Sequence, residues 1–321
     1  MQPQQDSIDC TNGYGIAFLS ALILSTTGVV IRHLLETYGI PPTVLAFWRN
    51  CCVTIFLLVF LELHYPFLVE VRRRDLGMLA VYGLVLALFN LLWTTSVALN
   101  GAAVATLLVY SSAGFAAVLG WRFLGERLGQ VKIAAVILCL AGCALVSGAV
   151  GNPGGPALGT PGILAGLFSG LSYGTYSLMG RAVCRRGLNP WTAMLYSFGF
   201  AGLFLLAFNL LSLEGLPWGS RQAADLFWLG TSWQGWGILV LLAIGPTVAG
   251  FGLYTVSLNR LPASVANLIA TTEPVFTAIL AWLFLGEILD SGRLAGGALI
   301  LAGVLFLQVT EGRRIKVAAR A

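Results

Sequence analysis

Residues 263–287 read ASVANLIATTEPVFTAILAWLFLGE, and residues 102–126 read AAVATLLVYSSAGFAAVLGWRFLGE. Aligned without a gap, Ala102, Val104, Ala105, Leu107, Phe115, Ala117, Leu119, Trp121, Phe123, Leu124, Gly125 and Glu126 find the same residue in the second stretch. The register continues outward: Ala134, Leu140, Ala141 and Gly142 match Ala295, Leu301, Ala302 and Gly303. Self-similarity at one offset is the mark of an internal duplication, and it fixes how the rest of the chain is divided.

Each copy sits in a long apolar setting. The chain has 321 residues, 58% hydrophobic and only 10% charged, whereas a soluble domain carries about a quarter charged residues. A spanning helix needs about 20 mostly apolar residues. Ten such spans are expected, near 14–34, 43–63, 76–97, 102–122, 131–150, 161–180, 190–211, 235–258, 263–285 and 293–310. The expected fold is thus an all-α integral membrane protein of about ten transmembrane helices, built as two five-helix repeats. The first repeat covers 14–150 and the second 161–310. A linker, 151–160, contains Asn152-Pro153-Gly154-Gly155-Pro156. Short tails flank them, 1–13 and a basic 311–321.

A unit of five spans is odd, so its second copy enters the membrane upside down relative to the first. Inverted repeats relate two halves by a pseudo-two-fold axis in the membrane plane, the architecture of alternating access. The basic residues support the count. Fourteen Lys and Arg residues fall in the even-numbered loops and the C-terminal tail, three (Arg32, Arg221 and Arg293) in the odd-numbered loops, and one, Arg49, within a span. By the positive-inside rule both termini are expected in the cytoplasm. The first apolar run lacks a basic leader segment and is expected to be a retained helix. Trp218, Trp228, Trp233 and Trp236, around the longest loop, suit an interfacial belt.

The stretches Pro262-Ala263-Ser264, Glu273-Pro274-Val275 and Leu285-Gly286-Glu287, with their echo at Leu124-Gly125-Glu126 and the Phe47-Trp48-Arg49 triplet, resemble the EamA branch of the drug/metabolite transporter superfamily. The resemblance extends over nearly the whole chain as two tandem units. It implies an exporter of amino acids or other small metabolites, with a central cavity between the halves, in a bacterial-type inner membrane. Uptake or exchange of another organic solute, or a non-transporting sensor or assembly role on the same fold, are the alternatives.

The residues narrow this further. No GxxxxGK[ST] phosphate loop is present and the only lysines are Lys132 and Lys316, so ATP-driven transport is not expected. No HExxH, GxSxG or His/acid cluster points to an enzyme, and no cofactor or metal is expected. Cys139 and Cys143, one turn apart, read as packing residues. The net charge of +5 is spread over short loops and does not suggest nucleic acid. The expected partners are a small-molecule solute and membrane lipid.

Charge deep in a bilayer is costly and marks function. Glu273, before Pro274 in the ninth span, is a candidate proton-binding or substrate-ammonium site. Arg49, in the second span, is a candidate carboxylate anchor through its planar fork. Each has a bland alternative as a fixed structural element. Asn90, Trp93, Tyr110, Tyr173, Tyr176 and Asn267 are further cavity candidates. Gly162, Gly166, Gly170 and Gly174 form a stripe for close helix approach. Gly245, Pro246 and Pro274 break the eighth and ninth spans, whereas their counterparts Leu86, Ala87 and Ala113 do not. Glu126 and Glu287 are expected to cap a following helix or pair with a loop arginine.

Overall fold

The computed structural model describes the backbone of residues 2–124, 129–146, 159–211, 223–258, 260–261 and 263–318; the side chains of 2–12, 123–124, 184, 223, 258, 263–264, 267–268 and 311–318 lie outside the description. The described chain is helical: α1 (Gln2–Tyr38), α2 (Pro42–His64), α3 (Arg73–Asn100), α4 (Ala102–Val109), α5 (Ser112–Leu124), α6 (Gln130–Val146), α7 (Thr160–Arg185), α8 (Pro190–Leu210), α9 (Trp233–Leu242), α10 (Gly250–Leu258), α11 (Ala263–Ala270), α12 (Glu273–Leu285) and α13 (Ser291–Ala318). α1 and α13 run into the segments read as tails.

Local chemistry sets the ends. Pro42 and Pro190 occupy first-turn positions, where the missing N–H costs nothing. Asn189 accepts from Trp191 N at 2.9 Å and Ser232 from Gly235 N at 3.2 Å. α12 stops where Gly286 turns left-handed at φ 67°. Arg32, counted as a loop residue from sequence, lies within α1 and donates to the carbonyls of Val97 (3.1 Å) and Ala98 at the end of α3.

Among the described residues, seven stretches are long and apolar enough to cross a membrane: Gly13–Tyr38, Pro42–His64, Arg73–Asn100, Ala102–Arg122, Pro190–Leu210, Trp233–Ser257 and Ser291–Thr310. Gln130–Val146 and Glu273–Leu285 are apolar but shorter. α7 has the length, yet Ser169, Ser172, Tyr173, Thr175, Tyr176 and Ser177 dilute its apolarity.

Three spans are broken. α4 and α5 part at Tyr110-Ser111, and α11 and α12 at Thr271-Thr272. These joints occupy equivalent places in the two copies, although only the second has a proline. In the first, Ser111 Oγ donates back to Leu108 O at 2.6 Å and competes with the helical ladder. The asymmetry expected from Pro274 is therefore absent at this span. It is present elsewhere: Gly245 and Pro246 lie in a π-helical turn, Ala243–Ala249, between α9 and α10, whereas α3 runs unbroken through Leu86-Ala87.

Close contacts gather the chain into two bodies, neither of them a contiguous half. One takes Met1–Val29, Ala102–Ala157 and Gly245–Ala321; the other takes Val30–Gly101 and Leu158–Ile244.

In the first body α6 lies along α13, α4 along α12, and α5 on α6. A methyl added at Gly142 would stand 2.6 Å from the Gly296 carbonyl, and one at Gly303 would stand 3.0 Å from the Ala135 carbonyl. Under the sequence register Gly142 corresponds to Gly303 and Ala135 to Gly296, so the contact is reciprocal, as in an isologous interface. Cys139 and Cys143 are buried in α6, with Cys139 Sγ 4.0 Å from Ile300 O. Glu287, just past α12, accepts from the backbone N–H of Ala102 (2.8 Å) and Ala103 (3.1 Å). It caps α4, a helix far away in the sequence. Gly125 and Glu126 lie outside the described residues.

In the second body α3 packs on α7 and α8, and α2 on α8. The core includes Leu79, Tyr82, Val183 and Ala193. Thr43 Oγ1 donates to Asn209 Oδ1 at 2.8 Å, and Asn209 Nδ2 returns a bond to Thr43 O at 3.2 Å, clamping α2 to α8. Gly162, Gly166, Gly170 and Gly174 are all buried. Gly162 faces Asn100 and Leu99 of α3, and Ser96 Oγ donates to its carbonyl at 3.3 Å.

Candidate functional site

Arg49 is only 4% exposed. Its position on α2 faces α3, and its Nη2 donates to Asn90 Oδ1. Asn90 Nδ2 donates to Asn50 Oδ1 at 3.2 Å, and Asn50 Nδ2 closes the chain on the carbonyl of Ala46 at 2.7 Å. The guanidinium also lies 5.5 Å from the ring centre of Trp93, a cation–π contact. Neither Nε nor Nη1 of Arg49 has a hydrogen-bond partner among the described residues, nor has the indole Nε1 of Trp93. Leaving such donors buried and unsatisfied costs about 1–3 kcal/mol each, more for a charged group. The cluster thus presents buried donors and a positive charge with no anion beside them among the described residues.

Aromatic rings continue from Trp93. Phe89 stacks 6.0 Å from it, and Tyr173 lies 5.1 Å from Phe89. Tyr176 follows at 6.5 Å from Tyr173 and lies flat on Tyr82, 4.1 Å away and 4° from parallel. Its hydroxyl is 3.4 Å from Ser197 Oγ. The row brings together Trp93, Tyr173 and Tyr176, which sequence reasoning named. It adds Phe89 and Tyr82, and the hydrogen-bond chain from Arg49 adds Asn50; sequence reasoning missed all three. Asn50 adjoins Arg49 in the sequence, and Phe89 and Tyr82 share the face of α3 that carries Asn90 and Trp93; nothing in their own pattern sets them apart.

Glu273, the other charge within an apolar run, is only partly buried and belongs to the first body. Glu273 opens α12, and its Oε2 lies 3.0 Å from the hydroxyl of Tyr110. The same hydroxyl lies 3.0 Å from Ala270 O. Pro274 has no N–H to offer the carbonyl four residues back, which is that of Ala270. Tyr110 supplies the missing donor. Nearby, Thr277 Oγ1 donates to Ser25 O at 3.2 Å and holds α12 to α1. The side chain of Asn267 lies outside the described residues.

Other residues fall into structural settings. His33 bonds Thr37 and His64 bonds the Phe60 carbonyl, each within its own helix. Trp228 Nε1 donates to Tyr38 O at 2.9 Å and Trp236 Nε1 to Gly230 O at 3.1 Å, while Trp233 is 79% exposed. Trp218 lies outside the described residues. Two surface recesses, of about 520 and 400 Å³, are lined by His33, Tyr38 and Trp233 in one case and by Arg74, Asp75 and Arg186 in the other. Neither includes a residue of the Arg49 or the Glu273 cluster.

Long apolar helices enclosing isolated, hydrogen-bonded polar clusters define a multi-pass integral membrane protein. The chain belongs to the EamA-like transporter family, whose profile matches residues 11–148 and again residues 160–309. It is 29% identical over 269 residues to an uncharacterized transporter of Archaeoglobus fulgidus, covering 82% of this chain and 90% of that one. It is 24% identical over 307 residues to the pseudopaline exporter CntI of Pseudomonas aeruginosa, covering 94% and 97%. It is 26% identical over 245 residues to a protein of Streptantibioticus cattleyicolor named "Probable terminal-alkyne amino-acid exporter", covering 76% and 77%. A solved crystal structure superposes over 95% of this chain and 99% of its own, with a TM-score of 0.59 at 20% identity, a likeness of fold. The protein is a membrane transporter of a small-molecule solute.

Proposed function

We propose that the protein is a secondary active exporter of small organic solutes that carry a carboxylate, amino acids foremost, and that Arg49 is the carboxylate anchor. The observation that carries the reading is the pair of unpartnered nitrogens on a guanidinium that is almost wholly buried. A planar carboxylate satisfies two parallel N–H donors at once, and the Trp93 indole N–H offers a third donor beside them. Asn90 and Asn50 hold the guanidinium in place, so little ordering is left to be done on binding. Tyr173 and Tyr176 belong to the aromatic row beyond Trp93 and suit the apolar part of the solute. The amino-acid exporter among the relatives supports this substrate class.

The transport cycle in this reading is alternating access between two inverted five-helix repeats, with both termini in the cytoplasm of an inner membrane. The reciprocal Gly142–Gly296 and Gly303–Ala135 contacts and the joints at equivalent places in α4–α5 and α11–α12 support the duplication. Glu273 is the proton-binding group that couples the cycle to a gradient, and the π-helical turn at Gly245-Pro246 is a point of flexure.

The test is counterflow in proteoliposomes. Vesicles loaded with an unlabelled amino acid are expected to accumulate the labelled one, and Arg49→Gln is expected to stop this while the purified variant keeps its thermal melting profile. A protein that exchanges no carboxylate-bearing solute, or one whose exchange survives Arg49→Gln, overturns the assignment.

A further inference from the structure

We propose that Tyr110 is a proton-linked latch on the α11–α12 joint, its single hydroxyl hydrogen shared in alternation between the Ala270 carbonyl and the Glu273 carboxylate. This rests on the reading of Glu273 as the proton-binding group. A phenol has one hydrogen to donate and lone pairs to accept with. Two acceptors stand at 3.0 Å from it, and it serves one at a time.

When Glu273 holds a proton, its O–H donates to Tyr110 Oη and the Tyr110 hydrogen satisfies Ala270. Every group is then paired: carboxyl to phenol, phenol to carbonyl. When the proton leaves Glu273 for water, the carboxylate has become an acceptor only. The phenol hydrogen turns to it, a charge-assisted bond about twice as strong as a neutral one. The carbonyl of Ala270 is then left bare, because Pro274 cannot replace the lost donor. One proton thereby decides whether the break between α11 and α12 is bridged or open. No bond to carbon or nitrogen changes in this step, and the proton released is the one Glu273 held.

Of the elements packed on α4 and α11, α6 carries Lys132 and α13 carries Arg293 near its start and further charges from residue 311 on. α4 packs along α12, residue Ser25 of α1 meets it through Thr277, and α11 is joined to it. α4, α11 and residues 13–29 of α1 contain no Asp, Glu, Lys, Arg or His. Tyr110 is the titratable group in contact with the carboxyl. Its equivalent in the second copy, Thr271, lacks a ring to reach across, so the latch exists at one joint only.

The experiment uses the full chain in proteoliposomes, with infrared difference spectra, backbone amide exchange over residues 271–276, and counterflow measured across pH. In the unaltered protein a carboxylic-acid carbonyl band is expected that Glu273→Gln removes, and amide exchange at the joint is expected to quicken with pH beyond the rise seen in helices elsewhere in the chain. Tyr110→Phe keeps the ring and deletes the hydroxyl. It is expected to displace the band, remove the extra pH dependence at the joint and hold exchange fast throughout. If Glu273→Gln flattens the pH profile of counterflow but Tyr110→Phe leaves the band and joint exchange as in the unaltered protein, the latch is wrong and the proton site stands. If Glu273→Gln leaves the pH profile intact, the proton reading of Glu273 is wrong and the latch goes with it.

Discussion

Arg49 and Asn90 meet across the α2–α3 contact with the guanidinium Nη2 donating to the amide oxygen, while the amide nitrogen of Asn90 is held by Asn50. Asn90 is thus oriented by a neighbour, and its oxygen is fixed toward the arginine. Among the described residues no carboxylate pairs with that positive charge, and the proposed anchor role rests on this.

Arg49→Lys is expected to weaken solute binding about ten- to a hundredfold with little change in folding. The ammonium keeps the charge but loses the fork, and hydrogen bonds to charged groups are worth about 1.5–3 kcal/mol. Ligand-induced thermal stabilisation of the purified variant measures it. Equal stabilisation by the same solute in both proteins would count against the anchor.

Asn90→Leu is expected to cost stability and solute affinity together. It removes the acceptor of Arg49 Nη2 and strands the Asn50 oxygen in a buried setting. The expected cost is about 1–3 kcal/mol, read from chemical unfolding in detergent. Asn90→Asp keeps the acceptor and adds a charge beside Arg49 but lacks the donor to Asn50 Oδ1; it is expected to lose less stability than Asn90→Leu and to lose transport because the guanidinium is then neutralised.

Glu287→Ala is expected to destabilise the protein by about 0.5–2 kcal/mol, the usual worth of a helix N-cap. Glu287→Gln retains one acceptor oxygen and is expected to fall between. A loss confined to transport, with melting unchanged, would show that the carboxylate is not structural.

Gly142→Val is expected to be the most damaging of the packing substitutions. The position already stands against backbone, and a backbone cannot rotate away as a side chain can; overpacking of this kind costs about 1–3 kcal/mol or more. Gly296→Val is expected to behave alike, and the two costs together should be less than additive because both push the same helices apart. Melting temperatures of the single and double variants decide it.

Single cysteines placed at 129 and at 289, in an otherwise cysteine-free chain, are expected to react with a membrane-impermeant maleimide from opposite sides of the membrane. Labelling of both from the same side would remove the inverted arrangement of the repeats.

Much of this was legible before any coordinates. The offset between residues 102–126 and 263–287 shows a duplication because the same packing problem was solved twice with the same residues. Gly162 to Gly174 announces a close helix contact because four-residue spacing keeps one face. Arg49 and Glu273 stand out because charge is rare in apolar runs. What was hidden depends on partners distant in sequence. Glu287 caps a helix 185 residues earlier, and no local pattern encodes that. The span at Tyr110-Ser111 breaks without a proline, and no local signal marks it against the apolar background. Tyr110 reads as one more aromatic until Pro274 is seen to strip Ala270 of its donor.

Helix α4 of the first copy is finished by Glu287 of the second, α6 is lined up by Gly296 and Ile300, and α2 is clamped by Asn209. A chain severed between the two copies would therefore yield fragments with exposed, unfinished seams. Neither is expected to survive alone in a cell, yet the pair, made together, is expected to find each other and restore export.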